Sequence, residues 1–167
     1  PARPTSPCPY SNFSQSVTVT GVNDAVADGN VVYTILTALA TSTDTVYNGI
    51  DAADVSVTNI DSNTVGIIVN PTAGLTTTEA LGTATFAVVL NSQPTADVTI
   101  GLSSSDTTEG TISLSSLTIT TSNWDTAQTV TVTGVNDDLD DGDDVYRIVT
   151  AAAVSADLNY SGIDTFD

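Results

Sequence analysis

The 167-residue chain sets 20 acidic residues against 2 basic ones, lacks lysine and histidine, and has a formal net charge of −18, with 40% hydrophobic residues. That apolar content supports a folded core and excludes a disordered acidic chain, while a surface so negative repels nucleic acid and anionic membranes and attracts cations. Without histidine or lysine there is no Ser-His-Asp, Cys-His or lysine-activated nucleophile, so the chain is read as a non-enzyme.

The chain opens on a Pro-rich lead, residues 1–10, holding its single cysteine, Cys8, which has no internal partner for a disulfide. No apolar run approaches the roughly 20 residues that span a bilayer, so no membrane insertion is expected. Asn12 and Asn159 begin Asn-X-Ser sequons, which permit glycosylation. Residues 17–51, "VTVTGVNDAVADGNVVYTILTALATSTDTVYNGID", align without a gap on residues 130–164, "VTVTGVNDDLDDGDDVYRIVTAAAVSADLNYSGID", at a constant offset of 113 (130 minus 17). The match indicates tandem repeats of domain length. Residues 1–61 are therefore expected to be the latter part of one repeat, its strands E, F and G. Residues 62–167 are expected to be a second repeat, strands A to F, without its last strand.

Alternating runs rich in Val, Ile and Thr predict the strands of that second repeat at 65–69, 84–90, 97–103, 116–120, 129–134 and 145–153, with a seventh, 54–60, visible in the first copy. Nothing has helical periodicity. Seven strands in a repeat of this length predict an all-β, immunoglobulin-like antiparallel sandwich. Tyr33, Tyr47, Tyr146 and Tyr160 are read as core packing, and Phe13 and Trp124 as a plug before strand E.

The acidic residues follow the strand ends. Asp137, Asp138, Asp140, Asp141, Asp143 and Asp144 crowd into "GVNDDLDDGDD", residues 134–144, after strand E. Glu79 precedes strand B, Asp106 follows strand C, and Asp61 closes strand G of the first copy. In an up-and-down strand order these positions gather at one pole. Carboxylates about 4 Å apart repel by roughly 4 kcal/mol at an effective dielectric near 20, so such a pole is either splayed into water or neutralised by a bound cation. A donor set of hard oxygens without histidine suits Ca²⁺, which takes six to eight oxygen ligands, and leaves Zn²⁺ or Cu²⁺ without suitable donors. Asp51, Asp54, Asp164 and Asp167 are read as a capped loop or a second cation site.

Three stretches, "TTTEALGTATFAVVLN" (76–91), "VTIGLSSSD" (98–106) and "TVTVTGVNDDLDDGDDVYRIV" (129–149), resemble the Calx-beta domain. That family has a Glu before a strand, an Asp after the third strand and a "DD…DGD" loop after the fifth. The wording "VTGVND…DGN…YTI" is most similar to arrays in bacterial surface proteins. The resemblance implies Ca²⁺ ligands at Glu79, Asp106, Asp137, Asp138, Asp141 and Asp143, with Asp61 as the acid closing strand G. It also implies a weaker site in the first copy at Asp24 and Asp28, where Ala25, Ala27 and Asn30 replace Asp138, Asp140 and Asp143. The function this resemblance implies is that of an extracellular or cell-surface structural protein of bacterial type. Its tandem sandwiches would be stiffened by Ca²⁺ into a stalk or a head-to-tail filament of copies of itself. Two alternatives use the same residues: a Ca²⁺-dependent adhesin module binding a glycan or surface protein, and a Ca²⁺ sensor domain.

Overall fold

A β-strand is stable only where a neighbour satisfies its backbone and covers its apolar face. The computed structural model describes residues 14–136 and 142–165, which are all-β and contain no helix. Their strands are β1 (Val31–Ile35), β2 (Val55–Asn59), β3 (Ile67–Asn70), β4 (Thr83–Leu90), β5 (Val98–Ser104), β6 (Gly110–Ile112), β7 (Ser116–Ile119), β8 (Gln128–Gly134), β9 (Ile148–Thr150) and β10 (Val154–Ser155). One antiparallel sheet runs β3-β4-β8-β6. In the other, β5 pairs β7 along one edge and β9 and then β10 along the opposite edge.

The core lies between these sheets. Alternation aims Phe86, Val88 and Leu90 of β4, Val98, Ile100 and Leu102 of β5, Leu117 and Ile119 of β7, and Val130 and Val132 of β8 inward, where all are buried. Trp124 packs on the margin of this cluster. The molecule is thus an antiparallel β-sandwich.

Strand β6 lies outside the sequence expectation. Ser113 N donates to Thr131 O at 2.9 Å in the first sheet, and Leu102 N to Ser115 O at 2.9 Å in the second. The segment 110–119 therefore crosses from one sheet to the other, and only its second half alternates enough to be seen in the sequence. Of the strand expected at 145–153 only Ile148–Thr150 forms, as β9, and β10 (Val154–Ser155) lies just beyond it.

Residues 17–20 carry the β8 sequence "VTVT" but form no strand. Strand β8 has β4 on one edge and β6 on the other, and residues 14–61 supply no counterpart of either. In that part only β1 and β2 pair, antiparallel, with Tyr33 opposite Val57.

Local hydrogen bonding nevertheless recurs at the 113-residue offset. Ala40 N donates to Ile50 O and Ala153 N to Ile163 O, both at 2.8 Å. Asp44 Oδ1 accepts from Val46 N, and Asp157 Oδ1 from Asn159 N, both at 2.9 Å. Burial does not recur. The Tyr160 hydroxyl donates to Ser92 O at 2.6 Å in the core, whereas Tyr47 is 60% exposed, contrary to its expected packing role. The physical reason is that residues 14–61 have no equivalent of the β4–β5 turn that carries Ser92.

Candidate metal centre

The ends of β4, β5 and β8 meet at one pole, and backbone contacts hold them there. Gly134 N at the end of β8 donates to Gly82 O at 2.9 Å, tying the acidic loop to the turn that carries Glu79. Glycine is required at this position: a Cβ on Gly134 would lie 2.3 Å from the Thr78 carbonyl oxygen. The next residue, Val135, donates from its amide to Glu109 O at 2.9 Å, while Gly110 N donates to Asp106 O at 3.2 Å. Glu79, the Asp106–Glu109 turn and the start of the acidic loop are therefore neighbours.

Glu79 and Asp143 line one groove together with Glu109 and Asp144. Asp106 is turned into its own loop, its Oδ1 accepting from Thr108 N at 2.9 Å and from the Thr108 hydroxyl at 2.5 Å. The hydroxyl, followed by the amide, holds the Asp106 carboxyl below its ordinary 3.8. Asp137, Asp138 and Asp141 lie outside the described residues, as do Cys8, Asn12, Phe13 and Asp167.

A second acidic locus forms in residues 14–63. Asp24, Asp28 and Asp61 line a pocket of about 50 Å³, ample for a cation with water, since one water needs roughly 10–15 Å³. Asp61 anchors it: Oδ1 accepts from Asn63 N and Oδ2 from Gly29 N, both at 2.7 Å. These bonds, that from Asn63 foremost, lower the Asp61 pKa from 3.8. Asn30 Oδ1 accepts from Asp61 N at 2.9 Å, locking the acidic loop to the end of β2.

The Asn63 side chain lies over this pair. With its amide nitrogen inward it donates to Asp24 O and to Asp61 Oδ1, both at 3.2 Å. Turned by 180°, the same amide puts a third oxygen beside those two, the hard-donor set that Ca²⁺ prefers. Among the described residues no three acidic side chains are close enough to share an ion by themselves, so a cation here needs amide and carbonyl oxygens as well.

The loop holding Asp24 and Asp28 also touches the sandwich. Gln93 N donates to Ala25 O at 2.7 Å and Asn159 Nδ2 to Ala27 O at 3.1 Å. Asp54, by contrast, accepts from Thr37 N at 2.8 Å and serves as a loop cap. The sequence reading missed Asn63 and Glu109, and named Asp144 only as a member of the acidic loop. Glu109 and Asn63 follow Asp106 and Asp61 by three and two residues, a spacing that reads as turn chemistry until the turn is seen to face the pole.

Comparison with protein-family models, with curated proteins and with solved structures gives no match.

Proposed function

We propose that the protein is an extracellular structural module in which Ca²⁺ binds at the acidic poles and stiffens successive β-sandwich units into a stalk or a head-to-tail filament. One observation carries this reading. The loop that holds Asp24 and Asp28, itself fixed by Asp61, is the segment whose Ala25 and Ala27 carbonyls accept hydrogen bonds from Gln93 and Asn159 of the sandwich.

A cation held by Asp24, Asp61 and Asn63 therefore acts at a joint. Without it, repulsion between the carboxylates works against the few hydrogen bonds that hold the loop, and the joint is looser. With it, mutual neutralisation fixes the loop, and with the loop the angle between the two parts. At the sandwich, where Glu79 and Asp143 line one groove, the proposed ligand set adds Asp106, Asp137, Asp138 and Asp141 and would offer the same chemistry to the next unit. Millimolar Ca²⁺, the level outside cells, suffices for open sites of this type.

Calorimetric titration of the full chain with Ca²⁺ tests the reading. Two classes of site are expected. The tighter class disappears in Asp137→Asn/Asp138→Asn/Asp141→Asn and the weaker in Asp24→Asn/Asp61→Asn. A titration with no binding heat up to 10-fold above about 1 mM would contradict it.

A further inference from the structure

The turn at 40–50 carries a chemically reactive pair of residues. In "VYNGI", residues 46–50, an asparagine stands directly before a glycine, the one place in the chain where it does. The side-chain amide of an asparagine can be attacked by the backbone nitrogen of the next residue, closing a succinimide ring. A side chain on that next residue hinders the approach, and glycine has none.

Residues 40–50 are exposed throughout, and none belongs to the core cluster. Gly49 has a φ of 82°, in the left-handed region that glycine occupies without strain, and a Cβ there would meet nothing within 4 Å. The nitrogen that must react is held, since Gly49 N donates to Ala40 O at 2.7 Å. The amide it must attack is held as well, Asn48 Oδ1 accepting from Ser42 N at 3.1 Å. Closed, the turn keeps both groups occupied; opened, it releases them together. Opening is local and costs little where few buried contacts oppose it, and Tyr47 beside the pair is 60% exposed. The matching turn at 153–163 is pinned by the buried Tyr160 and by Asp157, whose Oδ2 accepts from Thr95 N at 2.7 Å. It also has Ser161 before Gly162, so it keeps the glycine and lacks the amide.

We infer that Asn48 is a site of spontaneous deamidation, gated by opening of the turn at 40–50, with water as the only co-reactant. A base from the solvent takes the Gly49 amide proton, and the nitrogen attacks Asn48 Cγ. The N–Cγ bond forms, the Cγ–Nδ2 bond breaks, and Nδ2 leaves as ammonia with a proton from water. Water then adds to one or the other carbonyl of the succinimide and breaks its bond to nitrogen. The products are aspartate or isoaspartate at position 48, and nothing is oxidised or reduced. Either product adds a carboxylate to a segment that already carries Asp44 and Asp51. Isoaspartate also inserts a methylene into the main chain before Gly49, which shifts Gly49 N away from Ala40 O. No enzyme is needed, so the converted fraction records the age of the molecule.

Ageing of the full chain in mildly alkaline buffer at physiological temperature, followed by peptide mass mapping with isoaspartate detection, tests this. Asn48 is expected to convert at least about 10-fold faster than Asn30 and Asn59, which precede the β-branched Val31 and Ile60. Equal rates at the three positions would overturn the assignment. In Asn48→Ser, which reproduces the serine of the matching turn, the isoaspartate signal should vanish; a signal of undiminished size would overturn it too. The gate is tested by Asp44→Ala, because Asp44 Oδ1 accepts from Val46 N at 2.9 Å and helps to keep the turn closed. Conversion of Asn48 should then be about 2–5-fold faster, and an unchanged rate would overturn gating by the turn.

Discussion

Residues 17–50 and 130–163 share a sequence pattern but not a fate. Val17 is 86% exposed and its counterpart Val130 fully buried; Tyr47 is 60% exposed and Tyr160 only 1%. Yet the turn at 40–50 makes the same hydrogen bonds as the turn at 153–163. The difference shows which information is local. Turn geometry is written in Asp, Gly and Ser at fixed spacing, and forms wherever that sequence occurs. Burial is supplied by β3 to β7, present beside one segment and absent beside the other. The same turn forms in both places, whereas the core forms only where β3 to β7 lie alongside.

Changes at matched positions sharpen this contrast, beginning with the largest. Tyr160→Ala removes a buried ring and three contacts to Ser92, those at its carbonyl, amide and hydroxyl. It is expected to cost about 3–5 kcal/mol in urea unfolding, while Tyr47→Ala stays within about 0.5 kcal/mol. Equal losses would mean that residues 14–61 have a core of their own.

The glycines give a smaller but equally directional pair. Gly134→Ala forces a Cβ against the Thr78 backbone and should cost about 1–3 kcal/mol. Gly21→Ala meets only the Asn59 side chain, whose exposed hydrogen bond to the Val22 carbonyl it would displace, so a cost under about 1 kcal/mol is expected from the same measurement.

Asp157 and Asp44 differ in what they hold together. Both cap their own turn, but Asp157 Oδ2 also accepts from Thr95 N at 2.7 Å, joining the turn to the β4–β5 connection. Burial alone would raise its pKa; the hydrogen bonds from Thr95 and Asn159 outweigh burial and bring it below 3.8. A depressed folded-state pKa contributes stability above the unfolded value, and that stability is lost as pH falls through the folded one. Stability should therefore drop on acidification below pH 3.8, the unfolded value, and Asp157→Ala should flatten that drop while costing about 1–3 kcal/mol at pH 7. Asp44→Ala loses only the cap of its own exposed turn and should cost under about 1 kcal/mol at pH 7.

Much of this architecture is legible in the sequence because alternation of Val, Ile and Thr reports a half-buried face directly. That is why β4, β5, β7 and β8 fall close to their expected positions. Strand β6 is not legible: three residues between a turn and a sheet crossing are too few to show a period. Residues 17–20 mislead for a different reason, since "VTVT" states a preference for a strand without stating whether a partner exists. At the poles, Asp61 and Asp106 stand out through charge. Asn63 does not, because a neutral amide next to an aspartate looks like any other turn until its contacts to Asp24 and Asp61 are known.

The most direct test of the central claim is the thermal midpoint of the full chain in millimolar Ca²⁺ against chelator, at equal ionic strength. Free Ca²⁺ at 100 times the dissociation constant adds about 2.7 kcal/mol per site, which for a chain of this size is a rise of about 5–10 °C. The account predicts such a rise, and its disappearance when Asp61→Asn is combined with Asp137→Asn and Asp141→Asn. A midpoint that is the same in Ca²⁺ and chelator would contradict it and leave the acidic loops as solvated turns.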